Sequence, residues 1–338
     1  MSQPFVSFCF STFKRPGYLK STLESILRQT DSDYEVIVSD NDTEQSGRQV
    51  VESLNDRRFS YYANEENLGM KKSFNRSVEK SSGEFIVMIA DDDPVYPEML
   101  ETLRNLKNEF PGYGMYLGGC DWFCTSRELG ALYNMKVGTN SCLSNLYDLN
   151  YKKTYTPGEF LNQLFSFGIF PHYLWSAGMV RRQILVNMGG VPEYGTPFLG
   201  DYAYMSANAA QEGCVIINRS LGCQTLHHGN FGRNQNEQII IAANNFPEYV
   251  KKHASHLAEW PEIEKLMLKF TALWVVSHMG FLHQYYQKSG KEATGLQEAE
   301  KEVFRIPYIK KYLSKYLIKK RYPRLHDFLV RVKKNLKS

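Results

Sequence analysis

Apolar positions in the first hundred residues follow two periods in turn. The runs Phe5 to Phe10 (FVSFCF), Tyr34 to Val38 (YEVIV), Phe59 to Tyr62 and Phe85 to Ala90 (FIVMIA) are of strand length and rich in β-branched and aromatic residues. Continuous runs of this kind predict strands covered on both faces. Between them, Leu19, Leu23, Ile26 and Leu27 recur on one face of a helix. The stretches 43–55 (TEQSGRQVVESLN) and 70–81 (MKKSFNRSVEKS) carry helical spacing as well. Strand and helix in alternation predict βαβ units and a mostly parallel, Rossmann-like α/β sheet flanked by helices.

Further along, the pattern weakens. Residues 111–170 are rich in Gly, Tyr and Asn, which predicts irregular strands and loops. Residues 172–193 read as a strand, a short helix and a Gly-Gly turn, 198–213 (FLGDYAYMSANAAQEG) as a helix led by an acid, and Val215 to Ile217 as another strand. Past residue 238 the pattern is helical to the end. The expected organisation is an α/β domain over 1–237, in two halves at 1–110 and 111–237, followed by a helical, basic extension over 238–338. In parallel sheets ligands gather beyond the carboxyl ends of the strands. Three such ends carry polar clusters, Ser11-Thr12-Phe13-Lys14-Arg15, Ser39-Asp40-Asn41-Asp42 and Asp91-Asp92-Asp93, and these should converge on one crevice.

Composition narrows the class. With 338 residues, 43% of them hydrophobic and 14% aromatic, the chain has ample material for a core, which excludes a disordered protein. The net charge of +4 conceals an asymmetry: residues 288–338 hold 15 Lys/Arg against 5 Asp/Glu, a balance of +10, and the rest sum to −6. The interleaved Lys311, Lys315, Lys319 and Lys320 with Tyr312, Leu313, Tyr316 and Leu317 predict an amphipathic basic helix over 305–338 suited to an anionic membrane surface. A helix packed on the body is the plainer reading, and nucleic acid is not the expected partner. Six cysteines without a secretory signal read as reduced thiols, and Cys120 and Cys124 lack the second pair that a zinc site needs. The apolar stretch LMLKFTALWVVSHMGFL is interrupted by Lys269 and His278 and is expected to fall short of the ~20 residues that span a bilayer. The expected location is cytoplasmic, or peripheral on the inner face of the cell membrane.

The chemistry centres on three adjacent carboxylates at a strand end. Asp91, Asp92 and Asp93 repel one another and call for a cation or a donor-rich ligand. No GxxxxGK[ST] or GxGxxG follows the first strand, and no GxSxG occurs, which removes the main support for P-loop, dinucleotide and α/β-hydrolase readings. Oxygen ligation of Mg²⁺ or Mn²⁺, bridging to substrate phosphates, remains. Plainer roles stand beside these: an Asx-turn for Asp40 and Asp42, a helix N-cap for Asp201, and ordinary core packing for Trp122, Tyr173 and Trp175.

Four segments in order resemble glycosyltransferase family 2 on the GT-A fold, over roughly residues 5–230: FVSFCFSTFKRPGYLKSTLESILRQT, YEVIVSDNDTEQSG, ENLGMKKSFNRSVEKSSGEFIVMIADDDPVYPEML and FLGDYAYMSANAAQEG. The resemblance implies Ser11, Phe13 and Asp40 around the base and ribose of a nucleotide, with Arg15 and Asp42 in the same nucleotide-binding set. It implies Asp91 near the ribose and Asp92 and Asp93 at the metal and diphosphate, either being the main ligand. Asp201 matches the family's general base, and His228 stands where many members place a histidine near the metal or diphosphate. Lys14, Phe74 and the absence of an acid before Asp201 depart from the pattern, leaving Arg15, Lys71 or Lys72 to neutralise the diphosphate. The implied activity is metal-dependent, inverting transfer of a sugar from a nucleotide donor, a UDP-sugar favoured, to a saccharide or lipid-linked saccharide of a bacterial surface polymer. The alternatives are a nucleotidyltransferase, or a non-catalytic protein that binds membrane or nucleic acid.

Overall fold

The computed structural model describes residues 3–141, 151–169, 175–230, 238–289 and 295–313. Strands and helices alternate as β1 (Val6–Thr12), α1 (Pro16–Leu27), β2 (Tyr34–Asp40), α2 (Arg48–Ser53), β3 (Phe59–Ala63), α3 (Met70–Lys80), β4 (Phe85–Ala90) and α4 (Met99–Glu109). They continue as β5 (Met115–Cys124), α5 (Arg127–Tyr133), β6 (Gly138–Asn140), β7 (Lys152–Tyr155) and α6 (Pro157–Phe165). After a 3₁₀ turn at Trp175–Ala177 come β8 (Gly178–Arg181), α7 (Arg182–Asn187), α8 (Gly200–Glu212) and β9 (Cys214–Leu226). Then come α9 (Gln238–Ala254), α10 (Trp260–Ser289) and α11 (Leu296–Val303), and the described chain is helical again over 307–313.

The strands form one sheet in the order β3-β2-β1-β4-β8-β5-β9-β7, with β6 on β5. β1 to β4 run parallel, β5 and β9 share their direction through the reversed β8, and β6 and β7 oppose it. The sheet is thus mostly parallel, as the alternation predicts. Strand side chains alternate between two cores: Phe85, Val87 and Ile89 face the layer that holds Leu19, Leu23 and Leu103, whereas Ile86 and Met88 face the layer of Phe74, Phe160 and Phe246. Register aligns the strand ends, since Ser11 pairs with both Ser39 and Ala90, and Thr12 with Asp40. The three polar clusters therefore emerge side by side.

Two expectations change. Of residues 111–170, the described stretches 111–141 and 151–169 are more regular than their composition suggests, because β5 is a ten-residue central strand. Its Gly118 conceals the pattern: a Cβ there would lie 2.5 Å from the Leu221 side chain, so the approach of β9 requires the glycine that breaks the apolar run. The apolar stretch at 266–282 does not stop at Lys269 or His278, and Trp260–Lys288 is long and apolar enough to cross a membrane by length and composition. A core helix passes the same test. α10 packs on α6 and α9, with Ile263, Met267, Phe270, Val275 and Met279 buried in the core beneath the sheet. Ile309 is also buried there, and Tyr308 donates to the Ala243 carbonyl, so the chain just after α11 docks on α9. Residues 314–338 of the basic tail, like Tyr173 and Cys142, lie outside the described residues.

Candidate active site

β4 emerges from the sheet at Ala90, and the next three residues are buried carboxylates, each with different partners. Asp91 accepts from the Thr12 hydroxyl at 2.8 Å and meets the Arg15 guanidinium at 3.2 Å. Burial raises its pKa to about 6, against the opposing pull of Arg15. Asp92 accepts from Arg15 Nη1 at 2.8 Å and lies 2.8 Å from His227 Nε2. Burial presses its pKa upward, but the His227 hydrogen bond and the Arg15 charge outweigh it and hold Asp92 below the usual carboxylate range. Asp93 accepts from the Thr225 amide at 3.1 Å and lies 3.5 Å from the Ser176 hydroxyl. Fully buried and next to Asp92, it is pushed well above the usual range. The cluster therefore holds one firmly ionised carboxylate between two that resist ionisation.

The ends of β1 and β9 supply the flanks. Arg15 follows Lys14, whose φ of 54° turns the chain sharply so that α1 starts at Pro16 with the guanidinium over the carboxylates. Of the three cations expected to serve a diphosphate, Arg15 is the one placed on the aspartates. Lys71 and Lys72 line a separate pocket of about 240 Å³ beside Thr196 and Pro197.

His227 rather than His228 reaches the cluster. Thr225 holds β9 against Asp93, and His227 follows, buried, with Tyr18 stacked on its ring at 4.4 Å. A tight turn comes next, in which Asn230 Oδ1 accepts from the His227 amide at 2.7 Å. That turn points His228 to solvent, with its ring 66% exposed and 3.3 Å from Glu128.

Asp40 is consumed by its own loop. Its Oδ1 accepts from the Asp42 amide at 2.8 Å, an Asx-turn, and its Oδ2 from the Gly47 amide and the Tyr61 hydroxyl, each at 2.9 Å. Asp42 is buried in that loop and accepts from the Glu44 amide at 3.1 Å. Ser11 lies buried at the end of β1 beside Ser39, and Phe13 is 41% exposed at the rim.

Asp201 sits in the first turn of α8, after Leu199 in a left-handed conformation with φ of 63°. A non-glycine residue in that region is strained, a feature that collects at functional sites. Its Oδ1 accepts from the Trp175 amide at 3.4 Å, and burial raises its pKa to about 6. Asp201 and Asp93 line one cleft of about 550 Å³, walled by Trp122, Tyr133 and Trp175 and, from α10, by Trp274, His278 and Phe281. The α10 wall and Thr225 have no counterpart among the motifs above, whereas Thr12 belongs to the polar cluster at the end of β1 and Tyr18 to the helical segment that follows it.

Among the described residues, no three His, Cys, Asp or Glu side chains gather in a metal-holding set. Two carboxylates do fit a hard divalent cation that completes its shell with water and substrate phosphates. Asp91 Oδ1 already faces Arg15 Nη2 at 3.2 Å, whereas Asp93 makes no ion pair among the described residues, so added positive charge would relieve Asp93 above all.

Residues 7–187 match the Glycosyl transferase family 2 model. A 120-residue stretch is 33% identical to the GalNAc(5)-diNAcBac-PP-undecaprenol beta-1,3-glucosyltransferase of Campylobacter jejuni, covering 35% of this chain and 38% of that protein. The chain thus spans well under half the length of that relative. Among solved structures, Staphylococcus aureus TarS 1-349 in complex with UDP aligns with a TM-score of 0.62 at 15% identity, over 95% of this chain and 87% of that one. The mannosyltransferase PcManGT of Pyrobaculum calidifontis, in complex with GDP-Man and Mn2+, aligns at 0.51 and 14% identity, over 96% and 88%. With just over half of its residues matched by the family model and its fold shared with these solved structures, the chain belongs to glycosyl transferase family 2 and has the GT-A fold.

Proposed function

We propose that the chain transfers a sugar from a nucleoside-diphosphate donor, a UDP-sugar, to a hydroxyl of a lipid-linked saccharide in bacterial surface-polymer synthesis, with inversion. The observation that carries this reading is that Asp93, the last of the three clustered carboxylates, lines one cleft with a separate, partly buried acid, Asp201. The solved neighbours named above hold UDP, and GDP-Man with Mn2+, which supports a nucleotide donor at the cluster. The Campylobacter relative, whose name specifies an undecaprenol-linked acceptor, supports the acceptor class.

Asp92 and Asp93 would hold Mn²⁺ or Mg²⁺, which neutralises the developing charge of the leaving diphosphate when bound. Arg15 and His227 keep Asp92 ionised for that purpose. The loop folded by Asp40 and Asp42, with Ser11 and Phe13 beside it, receives the base and ribose. Asp201 takes the proton of the acceptor hydroxyl as the acceptor oxygen bonds the anomeric carbon and the bond to the diphosphate breaks. With a pKa raised to about 6, Asp201 is ionised at neutral pH yet more basic than an ordinary aspartate. A single displacement without a protein nucleophile inverts the anomeric carbon. The basic stretch 305–338 suits anionic lipid beside such an acceptor.

The test is product analysis with UDP-sugars and lipid-linked saccharides. Release of UDP and an inverted glycoside is expected. Release of inorganic pyrophosphate would establish nucleotidyl transfer instead, and retention at the anomeric carbon would exclude the single displacement.

A further inference from the structure

Helix α10 lies beyond the residues that the family model matches, yet it forms one wall of the cleft that holds Asp93 and Asp201. Two of its residues, one turn apart, make a flat double ring: the Trp274 indole and the His278 imidazole stack at 4.7 Å with planes 7° apart. Phe198 braces both, its ring centroid 4.9 Å from His278 and 6.0 Å from Trp274. Phe198 lies three residues before Asp201, so the segment that leads into α8 and carries the acid also braces the double ring of α10.

We propose that Trp274 and His278 form the platform on which the acceptor's sugar ring stacks, so that α10 sets which saccharide offers its hydroxyl to Asp201. The inference rests on the acceptor reading above and names the residues that select within it. Both rings are partly exposed, and both line the cleft. A pyranose has apolar C–H faces and a polar rim, and an aromatic surface beside a few polar groups is the chemistry that recognises it. Polar groups are present, since Gln224 lines the same cleft with Asp201. An aliphatic lipid chain would make no use of them. Burial lowers the His278 pKa to about 4, which keeps the ring neutral at physiological pH and suited to stacking. Its Nε2 is buried without a hydrogen-bond partner among the described residues, so the ring contributes through its face rather than its edge.

Saturation-transfer difference NMR on the full chain, with the methyl glycosides of glucose, galactose, N-acetylglucosamine and N-acetylgalactosamine, tests this with and without UDP. Wild type is expected to bind at least one glycoside through its ring protons. Trp274→Ala should weaken it about tenfold, Trp274→Phe should keep most of the affinity, and UDP affinity, read separately, should stay the same in both. Equal glycoside binding by wild type and Trp274→Ala would overturn the proposal. So would signal from n-octanol alone with none from any glycoside, which would assign the cleft to an aliphatic chain. Glycoside binding that depends on Trp274 without any UDP binding would uphold the platform and remove the donor reading instead.

Discussion

His227 and Asp92 share a hydrogen bond of 2.8 Å, and its direction is set from the far side of the ring. The Gly229 amide donates to His227 Nδ1 at 3.1 Å, so the ring proton resides on Nε2 and is given to the carboxylate. Asp92 therefore stays ionised among three crowded acids, as a carboxylate that is to hold a cation must.

This arrangement separates the two adjacent histidines. His227→Ala removes the donor and the partner of the Tyr18 ring, and is expected to weaken cation-dependent UDP binding by roughly tenfold or more. His228→Ala changes an exposed side chain and should leave that binding within about twofold. Titration calorimetry of UDP in Mn²⁺ on the two variants compares them directly, and equal losses would show that the buried contact has no special part.

Asp201→Asn should lower kcat by ~10² to 10⁴-fold while leaving UDP affinity nearly unchanged, since the lost group acts on the acceptor proton. The same change should stabilise the fold. A partly buried aspartate whose pKa rises from 3.8 to about 6 makes ionisation in the folded state costly, by at most about 3 kcal/mol. That cost is fully present above pH 6 and fades as pH falls toward 3.8, so the gain from Asn should be largest at neutral pH and small near pH 4. Chemical denaturation at the two pH values reads the difference, and a destabilised variant at pH 7 would contradict the assigned environment.

The same acid sets a pH profile. Transfer should be level above about pH 6.5 and fall about tenfold per pH unit below about 6, as Asp201 takes up its proton. A profile flat to pH 4.5 would remove Asp201 as the base.

Gly47 allows the Asp40 loop to close. A Cβ at that position would lie 2.8 Å from Asp40 Oδ2 and 3.1 Å from the Leu19 side chain. Gly47→Ala should cost ~1 to 3 kcal/mol and raise the KM for the donor more than it lowers kcat, because it displaces the nucleotide loop and leaves Asp201 in place. Steady-state kinetics with varied donor measures the split.

How far these features could be read from sequence depends on whether local spacing specifies them. The first four strands have simple apolar runs, and the register of β1 with β2 and β4 follows from them, so the convergence of Ser11, Asp40 and Asp91 was legible. β5 was not, because close packing against β9 demands Gly118 where an apolar side chain would have marked the strand. The choice between His227 and His228 depends on where β9 stops and how Asn230 turns the chain, a matter of one residue's register that composition does not encode. The α10 wall was hidden for another reason: Trp274, His278 and Phe281 read as core residues of any apolar helix, and only tertiary packing brings them to Asp201. Asp40 shows a signal that served structure first, its carboxylate fully engaged in shaping the loop.

The central claim is that the carboxylates at the end of β4 take a divalent cation together with a nucleoside diphosphate. Calorimetric titration of UDP into wild type and Asp92→Asn/Asp93→Asn, each with and without Mn²⁺, tests it most directly. Binding that requires Mn²⁺ in wild type and falls by at least about tenfold in the double variant is the predicted result. UDP binding of equal strength without the cation, or undiminished in the double variant, would contradict it.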